Sequence, residues 1–372
     1  MSNPIQVGIL GCGNISAAYM RMASFFKDYK VVACADLNSA FAEARASEFS
    51  LRALSIDALL ADPEIDLIVN LTIPAAHFSV SKSILEAGKH VYSEKPYVLS
   101  VAEGKELAAL AQSKGLRIGS SPDTFLGASH QLARSLLDSG ELGEITSGTA
   151  HVMNHGMEHW HPNPDFFYQP GAGPVLDLGP YYITNLVQLI GPVVSVSAMS
   201  STPQKARTIA NGDRTGQTVP VDTPTTVHAL LKFKSGAIIS YGTSWDVHSS
   251  EHNNMELYGE KGSMYVPDPN FFAGELRTGD TTQAPITRAW QHPFNEINDK
   301  GHANYRGVGL AEMAVAISEE RPHRCSNDLA LHVVDVMTSI LHSAETGLVI
   351  ELTTSCEKPA PLSPEQAQAL IA

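Results

Sequence analysis

Three groups of residues in this chain have types and spacings that can do chemistry. The first, Gly11-Cys12-Gly13-Asn14-Ile15-Ser16, follows directly on the apolar run Val7 to Leu10. Glycine is needed where a backbone turns sharply and where a pyrophosphate comes within contact distance of a helix N-terminus. The run reads as two of the three glycines of a dinucleotide fingerprint, with Ser16 in the third place, where close helix-to-strand packing is at stake. An ordinary strand-to-helix turn has the same appearance. The second is Lys95, set before Pro96 in Tyr92-Ser93-Glu94-Lys95-Pro96. Lysine is a poor base at its unperturbed pKa of about 10.4, and desolvation beside a cation lowers it by several units. The third is Asp177 with Tyr181, after Gly171-Ala172-Gly173-Pro174. One helical turn apart, they share a face if a helix begins near Asp177, with Pro180 inside its first turn. Capping by Asp177 and core packing by Tyr181 are the plainer roles, and Tyr182 competes with Tyr181.

A fourth stretch, Asn154 to Tyr168, concentrates His155, Glu158, His159, Trp160, His161 and Phe166. Histidines at spacings of four and two, with Glu158, are a set that can ligate a metal. Hydrogen-bonding His and Asn side chains beside Trp and Phe equally suit a polyhydroxy ligand with an apolar face. Substrate binding is the expectation, with no metal; a purely structural loop is the remaining alternative.

The elements that must position these residues change character along the chain. Through residue 121, short β-branched runs (Gln6 to Leu10, Val31 to Ala35, Leu67 to Leu71, His90 to Ser93, Arg117 to Ser120) alternate with helical stretches. This α/β alternation predicts a doubly wound parallel sheet. Beyond it, after a helix over Gly127 to Ser139, the runs Ile145 to Asn154, Val193 to Met199, Thr225 to Phe233, Ala237 to Thr243, Asn253 to Gly259 and Ser263 to Val266 predict an α+β domain on a large, mostly antiparallel sheet. Helices over Tyr181 to Ile190, Gly309 to Glu319 and Ala330 to Thr346 are expected on one face of that sheet, and a second subunit on the other. Thr202 to Thr223 and Pro267 to Asn295 read as long loops. The expected domains are 1–121 and 122–372, since 372 residues exceed a single core.

Composition excludes several classes. A net charge of -14 repels phosphate backbones, so nucleic acid is not an expected partner. No apolar stretch is long enough to span a bilayer, so a membrane is not expected either. Cys12, Cys34, Cys325 and Cys356 have neither zinc spacing nor a dense disulfide pattern. With no secretory pattern at Met1-Ser2-Asn3-Pro4, the expected compartment is the cytoplasm.

The glycine turn after the first strand and Glu94-Lys95-Pro96 after a late one resemble the glucose-fructose oxidoreductase, inositol dehydrogenase and rhizopine-catabolism (Gfo/Idh/MocA) family. Asn70-Leu71-Thr72-Ile73-Pro74-Ala75-Ala76-His77, Asp177 with Tyr181, and the late runs Asn304-Tyr305-Arg306-Gly307 and Arg321-Pro322-His323-Arg324 extend the likeness over nearly the whole chain. The resemblance implies an N-terminal Rossmann domain binding NAD through Gly11, Gly13, Asn14, Ile15, Thr72, Pro74, Glu94, Lys95 and Pro96. Asp36, 23 residues after Gly13, stands where the family's ribose-binding acid stands, favouring NAD over NADP; helix capping is its alternative. His77 is read as a cofactor contact or as a hydrogen bonder at a helix start. The resemblance further implies a cis Lys95-Pro96 peptide, catalysis by Lys95, Asp177 and Tyr181, and substrate contact by Asn154; His155, His159 and Trp160 are read with it. Either Tyr181 is the direct acid/base beside Lys95, or Lys95 is direct and Tyr181 holds the hydroxyl. Arg306 reaches the site or forms a structural salt bridge.

The expected activity is hydride transfer between NAD and a secondary hydroxyl of a sugar, glycoside or cyclitol by a homo-oligomer, dimer or tetramer, assembled through the C-terminal sheet. An NAD-dependent glycosidase working by transient oxidation and elimination is one alternative. A non-catalytic nucleotide-sensing module is the other.

Overall fold

The computed structural model describes residues 3–296 and 303–372. Strand β1 (Ile5–Leu10) is followed by α1 (Ser16–Met22), β2 (Tyr29–Ala35), α2 (Ser39–Phe49), β3 (Arg52–Ala53), α3 (Ile56–Ala61), β4 (Leu67–Asn70), α4 (His77–Glu86), β5 (His90–Ser93), α5 (Val101–Lys114) and β6 (Ile118–Ser120). The strands form one parallel sheet in the order β3-β2-β1-β4-β5-β6. β4 is buried along its whole length, as a strand covered by helices on both faces must be. Local signals mark the helix ends. Ser100 and Glu103 form a reciprocal capping box at the start of α5, and Gly115 ends it in the left-handed region at φ 65°.

The chain continues through α6 (Ala128–Asp138), β7 (Ile145–Met153), α7 (Pro174–Ile190), β8 (Val193–Ser201), β9 (Ala206–Thr208), β10 (Thr218–Pro220), β11 (Thr226–Phe233), β12 (Ile238–Ser244), β13 (Met255–Gly259), β14 (Ser263–Val266), β15 (Leu276–Gly279) and β16 (Ile286–Arg288). It ends with α8 (Val308–Ser318), α9 (Asn327–Thr346), β17 (Ile350–Glu351) and α10 (Pro364–Gln368). The second sheet runs β16-β15-β14-β13-β7-β12-β11-β8-β17, antiparallel at each step except β7 with β12. Strand β11 alternates strictly: Val227, Ala229, Leu231 and Phe233 face inward, while His228, Leu230 and Lys232 stay exposed. Helix α7 covers the inner face at β7, β11 and β12.

The described residues form two compact units. One draws on Met1–Ala128, Gln291–Val334 and Pro359–Ala372, the other on Ser129–Trp290 and Asp335–Lys358. Three expectations are corrected. Helix α8 belongs to the first unit and packs on β6, so it does not cover the second sheet. Both long loops contain strand pairs, β9 with β10 and β15 with β16, each too short to show alternation in sequence. Helix α7 begins at Pro174, not near Asp177, which leaves Pro180 inside the helix. Pro180 has no N–H for the Leu176 carbonyl. Burial of most of α7 in the core supplies the stability that this missing bond withholds.

Candidate functional site

In the first unit, sheet register gathers most of the candidates. Leu10 pairs with Asn70, Asn70 with Ser93, and Ser93 with Ser120. Gly11, Leu71, Glu94 and Ser121 therefore follow one another across the carboxyl ends of adjacent strands, where open α/β sheets bind ligands.

The glycine turn has the shape of a phosphate cradle. Gly11 has φ +103°, and a Cβ there would lie 2.6 Å from the Leu71 carbonyl oxygen, so only glycine fits. At Gly13 a Cβ would meet nothing within 4 Å, leaving its backbone open to an approaching ligand. Asn14 is exposed, and Ile15 begins α1 with no side chain capping it. Ser16 is fully buried; its hydroxyl donates to the Gly13 carbonyl at 2.6 Å, filling the third fingerprint place with a hydrogen bond. Asp36 uses one carboxylate oxygen on the Cys12 N–H (2.7 Å) and the other on the Asn38 N–H (2.8 Å). Asn38, not Asp36, caps α2. A pocket beside it is lined by Asp36, Glu43 and Asp57, with no lysine or arginine among its described lining residues. These residues fit a dinucleotide whose adenosine end carries no extra phosphate.

The loop after β4 is held by one buried asparagine. Asn70 Oδ1 accepts from the Thr72 hydroxyl (2.7 Å) and N–H (3.2 Å), while its amide donates to Ser81 and to the His77 carbonyl. Pro74 opens a short 3-10 turn, and Ile73 beside it is 70% exposed. The His77 ring is buried between two carbonyls, Pro96 at 2.7 Å from Nδ1 and Thr72 at 3.0 Å from Nε2. Burial pushes its pKa down. A neutral imidazole carries one N–H, so the ring donates to one of these carbonyls and packs against the other, between the Thr72 loop and the Lys95-Pro96 turn. That peptide is cis, and Ser121-Pro122 is a second cis bond in this unit. Glu94 is nearly buried; its Oε2 accepts the Lys95 N–H at 2.9 Å and its Oε1 accepts the Tyr19 hydroxyl at 3.0 Å.

The second unit carries the remaining candidates. Asp177, half-buried, lies in the first turn of α7, and Tyr181 follows one turn later. Tyr182 is committed elsewhere: its hydroxyl donates to Asp268 (3.1 Å) and accepts from Asn254 (2.9 Å).

The histidine-rich segment is anchored from beneath. Arg207, 1% exposed, pairs with Glu158 at 3.1 Å and with Asp246. The Thr225 and Thr226 hydroxyls donate to the other oxygen of Asp246 (2.7 and 2.6 Å), and Tyr168 donates to Glu158. Met157, Tyr168, Ile209, Val219, Val221 and Trp245 close a small core around this network. Above it Trp160 and Phe166 stay 51% and 52% exposed, His159 is exposed, and the His155 ring lies tilted against His248 with centroids 3.8 Å apart. Asn154 Oδ1 accepts the Gly156 N–H at 3.0 Å. Among the described residues no three His, Cys, Asp or Glu side chains are placed to hold a metal. Arg207, Asp246 and His248 escape sequence reading because their partners lie tens of residues away, with no motif linking them.

A chain with a Rossmann sheet carrying a glycine cradle and a second, mixed-sheet unit has the build of a two-domain nucleotide-dependent oxidoreductase. Residues 5–121 match the oxidoreductase family with an NAD-binding Rossmann fold, and residues 130–265 match the GFO/IDH/MocA C-terminal domain. The chain belongs to the Gfo/Idh/MocA family of NAD-binding oxidoreductases. It is 29% identical over 273 residues to a dTDP-3,4-didehydro-2,6-dideoxy-alpha-D-glucose 3-reductase of Saccharopolyspora spinosa, covering 72% of this chain and 75% of that protein. To a trans-1,2-dihydrobenzene-1,2-diol dehydrogenase of Bos taurus it is 28% identical over 302 residues, covering 80% and 84%. A solved levoglucosan dehydrogenase, in complex with NADH and L-sorbose, shares the fold with a TM-score of 0.79 at 22% identity, covering 95% of this chain and all of that one.

Proposed function

We propose that this protein is an NAD-dependent dehydrogenase that oxidises one secondary hydroxyl of a sugar, glycoside or cyclitol to a ketone, or runs the reverse reaction. The observation that carries the reading is the row of Gly11, Thr72 and Lys95 at the ends of three adjacent strands, which sets a potential base on the rim of the nucleotide cradle. The relatives named for a dideoxyglucose and for a dihydrobenzene diol support a cyclic substrate with secondary oxygen functions.

Bound NAD supplies the hydride acceptor. Lys95 of the first unit, and Asp177 with Tyr181 of the second, are the residues proposed to handle the hydroxyl proton. The Tyr182 hydroxyl is occupied on both sides, by Asp268 and Asn254, which counts against Tyr182 in this role. The exposed Trp160, with Asn154, His155 and His159, offers an apolar face and donors for a polyhydroxy ring. The cofactor is assigned to the unit built around residues 1–121, which extends to Ala128 and takes in Gln291–Val334 and Pro359–Ala372, and the substrate and the assembly surface to the other unit. Exposed Met199, Leu230 and Ile238 on β8, β11 and β12 support assembly of a homo-oligomer through that sheet. Four free, buried cysteines support a reducing, cytoplasmic setting. Among the described residues no helix is long and apolar enough to cross a membrane.

The test is NADH formation by the purified protein over a panel of sugars, glycosides and inositols. Turnover on one class establishes the dehydrogenase. Glycoside cleavage with catalytic NAD and no net NADH would instead establish the glycosidase, and tight NAD binding without turnover the sensing module.

A further inference from the structure

Arg306 stands far along the chain from the glycine turn, yet its Nη1 lies 3.5 Å from Glu94 Oε1 and 3.8 Å from Asp123 Oδ1. All three side chains are nearly closed to solvent, at 12%, 10% and 0% exposure. Charges so buried persist only with partners on every side. Asp123 Oδ2 accepts the N–H groups of Gly307 (2.9 Å) and Gly309 (3.2 Å), which fixes the turn that bears Arg306 at the start of α8. Glu94 accepts the phenol of Tyr19, on the helix that leaves the glycine turn, and the N–H of Lys95. Tyr19 also shares a hydrogen bond of 2.8 Å with the Ser121 hydroxyl. The guanidinium therefore contributes to the charge balance of the carboxylate that immediately precedes Lys95, while the Tyr19 hydroxyl and the Lys95 N–H orient it.

We propose that Arg306 is a positioning residue for Lys95: by balancing the charge of Glu94, it sets the basicity of the lysine amine. The proposal rests on the dehydrogenase reading, in which Lys95 takes part in proton transfer. Among the described residues of the first unit, the titratable and charged groups brought to Glu94 and Lys95 are Tyr19 from α1, His77 from α4, Asp123 from the segment after β6, and Arg306. Burial pushes the Tyr19 phenol well up, so it remains a neutral donor. Burial pushes His77 down and Asp123 up; Arg306 and the two backbone N–H groups oppose the shift at Asp123. Of these four, Arg306 is the permanent cation. Without it an unbalanced carboxylate adjoins Lys95, and an ammonium in that field keeps its proton to higher pH.

The experiment reads the amine directly. The pH dependence of Lys95 acetylation by acetic anhydride, followed by peptide mass spectrometry in the NAD complex, is compared in wild type, Arg306→Met, Arg306→Lys and the double variant Glu94→Gln/Arg306→Met. The titration is expected to move up by about one pH unit in Arg306→Met, a tenfold loss of reactivity at fixed lower pH. It stays in place in Arg306→Lys and returns in the double variant. Tyr19→Phe, which keeps the ring in the core, moves it the same way by less, and decides the matter if Arg306→Met does not fold. A Lys95 titration unmoved by Arg306→Met, or by Tyr19→Phe in its place, overturns the proposal even where Lys95→Ala has lost turnover. Full NAD-dependent turnover in Lys95→Ala overturns the proton-transfer role of Lys95 instead, even where the titration moves.

Discussion

The two ends of the proposed chemistry are built in different ways. In the first unit, Gly11, Thr72, Glu94 and Lys95 follow the ends of neighbouring strands, whose register sets the row, and the Asn70 and Glu94 side chains accept the Thr72 and Lys95 N–H groups. In the second unit, the histidine-rich segment has no such frame. It is fixed by a guanidinium buried between two carboxylates and by a small core drawn from distant strands. The cofactor end rests on sheet register in addition to buried side chains, among them Asn70 and the Arg306 guanidinium beside Glu94 and Asp123. The substrate end rests on a few buried side chains, so its shape is open to variation and vulnerable to single substitutions.

Breaking the anchor gives the largest effect. Arg207→Ala leaves Glu158 and Asp246 buried without their cation, and breaking such a pair costs about 3–5 kcal/mol. Denaturant unfolding should show a loss of that size, with NAD binding unchanged if the first unit stands independently. A loss below about 1 kcal/mol would contradict the contrast between the units. Next comes Trp160→Ala. Half-exposed, Trp160 adds little to stability, so unfolding should shift by less than about 0.5 kcal/mol. KM for the sugar should rise about 10 to 100 fold, worth about 1–3 kcal/mol. Unchanged kinetics would leave this segment a structural loop, and activity lost to a chelator and restored by zinc would return it to the metal reading. The smallest effect falls on the cofactor end. NAD should be preferred over NADP by at least about tenfold in kcat/KM, about 1.4 kcal/mol, and Asp36→Ala should narrow the gap. Equal use of both cofactors by the wild type would contradict the acid-lined pocket at Asp36.

What was legible in the sequence follows the same contrast. Gly11, Gly13, Asp36 and Lys95 lie within short, ordered motifs, and the alternation of strand and helix around them has a local cause in hydrophobic period and capping. Strand β3 was not legible, because Arg52 and Ala53 are too few and too exposed to show a pattern. Nor was Arg207, which lies 49 residues from Glu158 and 39 from Asp246 in a stretch rich in threonine, glycine and proline. His77 could be named but not placed; its two carbonyl partners come from the loop before it and from a proline 19 residues on. The return of α8 to the first unit depends on Asp123, 184 residues from the Gly307 N–H that it accepts. Contacts of that separation leave no trace in local spacing.

The most direct test of the central claim is to compare wild type with Lys95→Ala for NADH formation from sugars, glycosides and inositols, with NAD affinity measured alongside. Removing a residue that moves the hydroxyl proton should lower kcat by about 10²- to 10⁴-fold. NAD affinity should stay within a few fold, because the hold on the cofactor is assigned to the glycine cradle and Asp36. Undiminished kcat in Lys95→Ala would contradict the account.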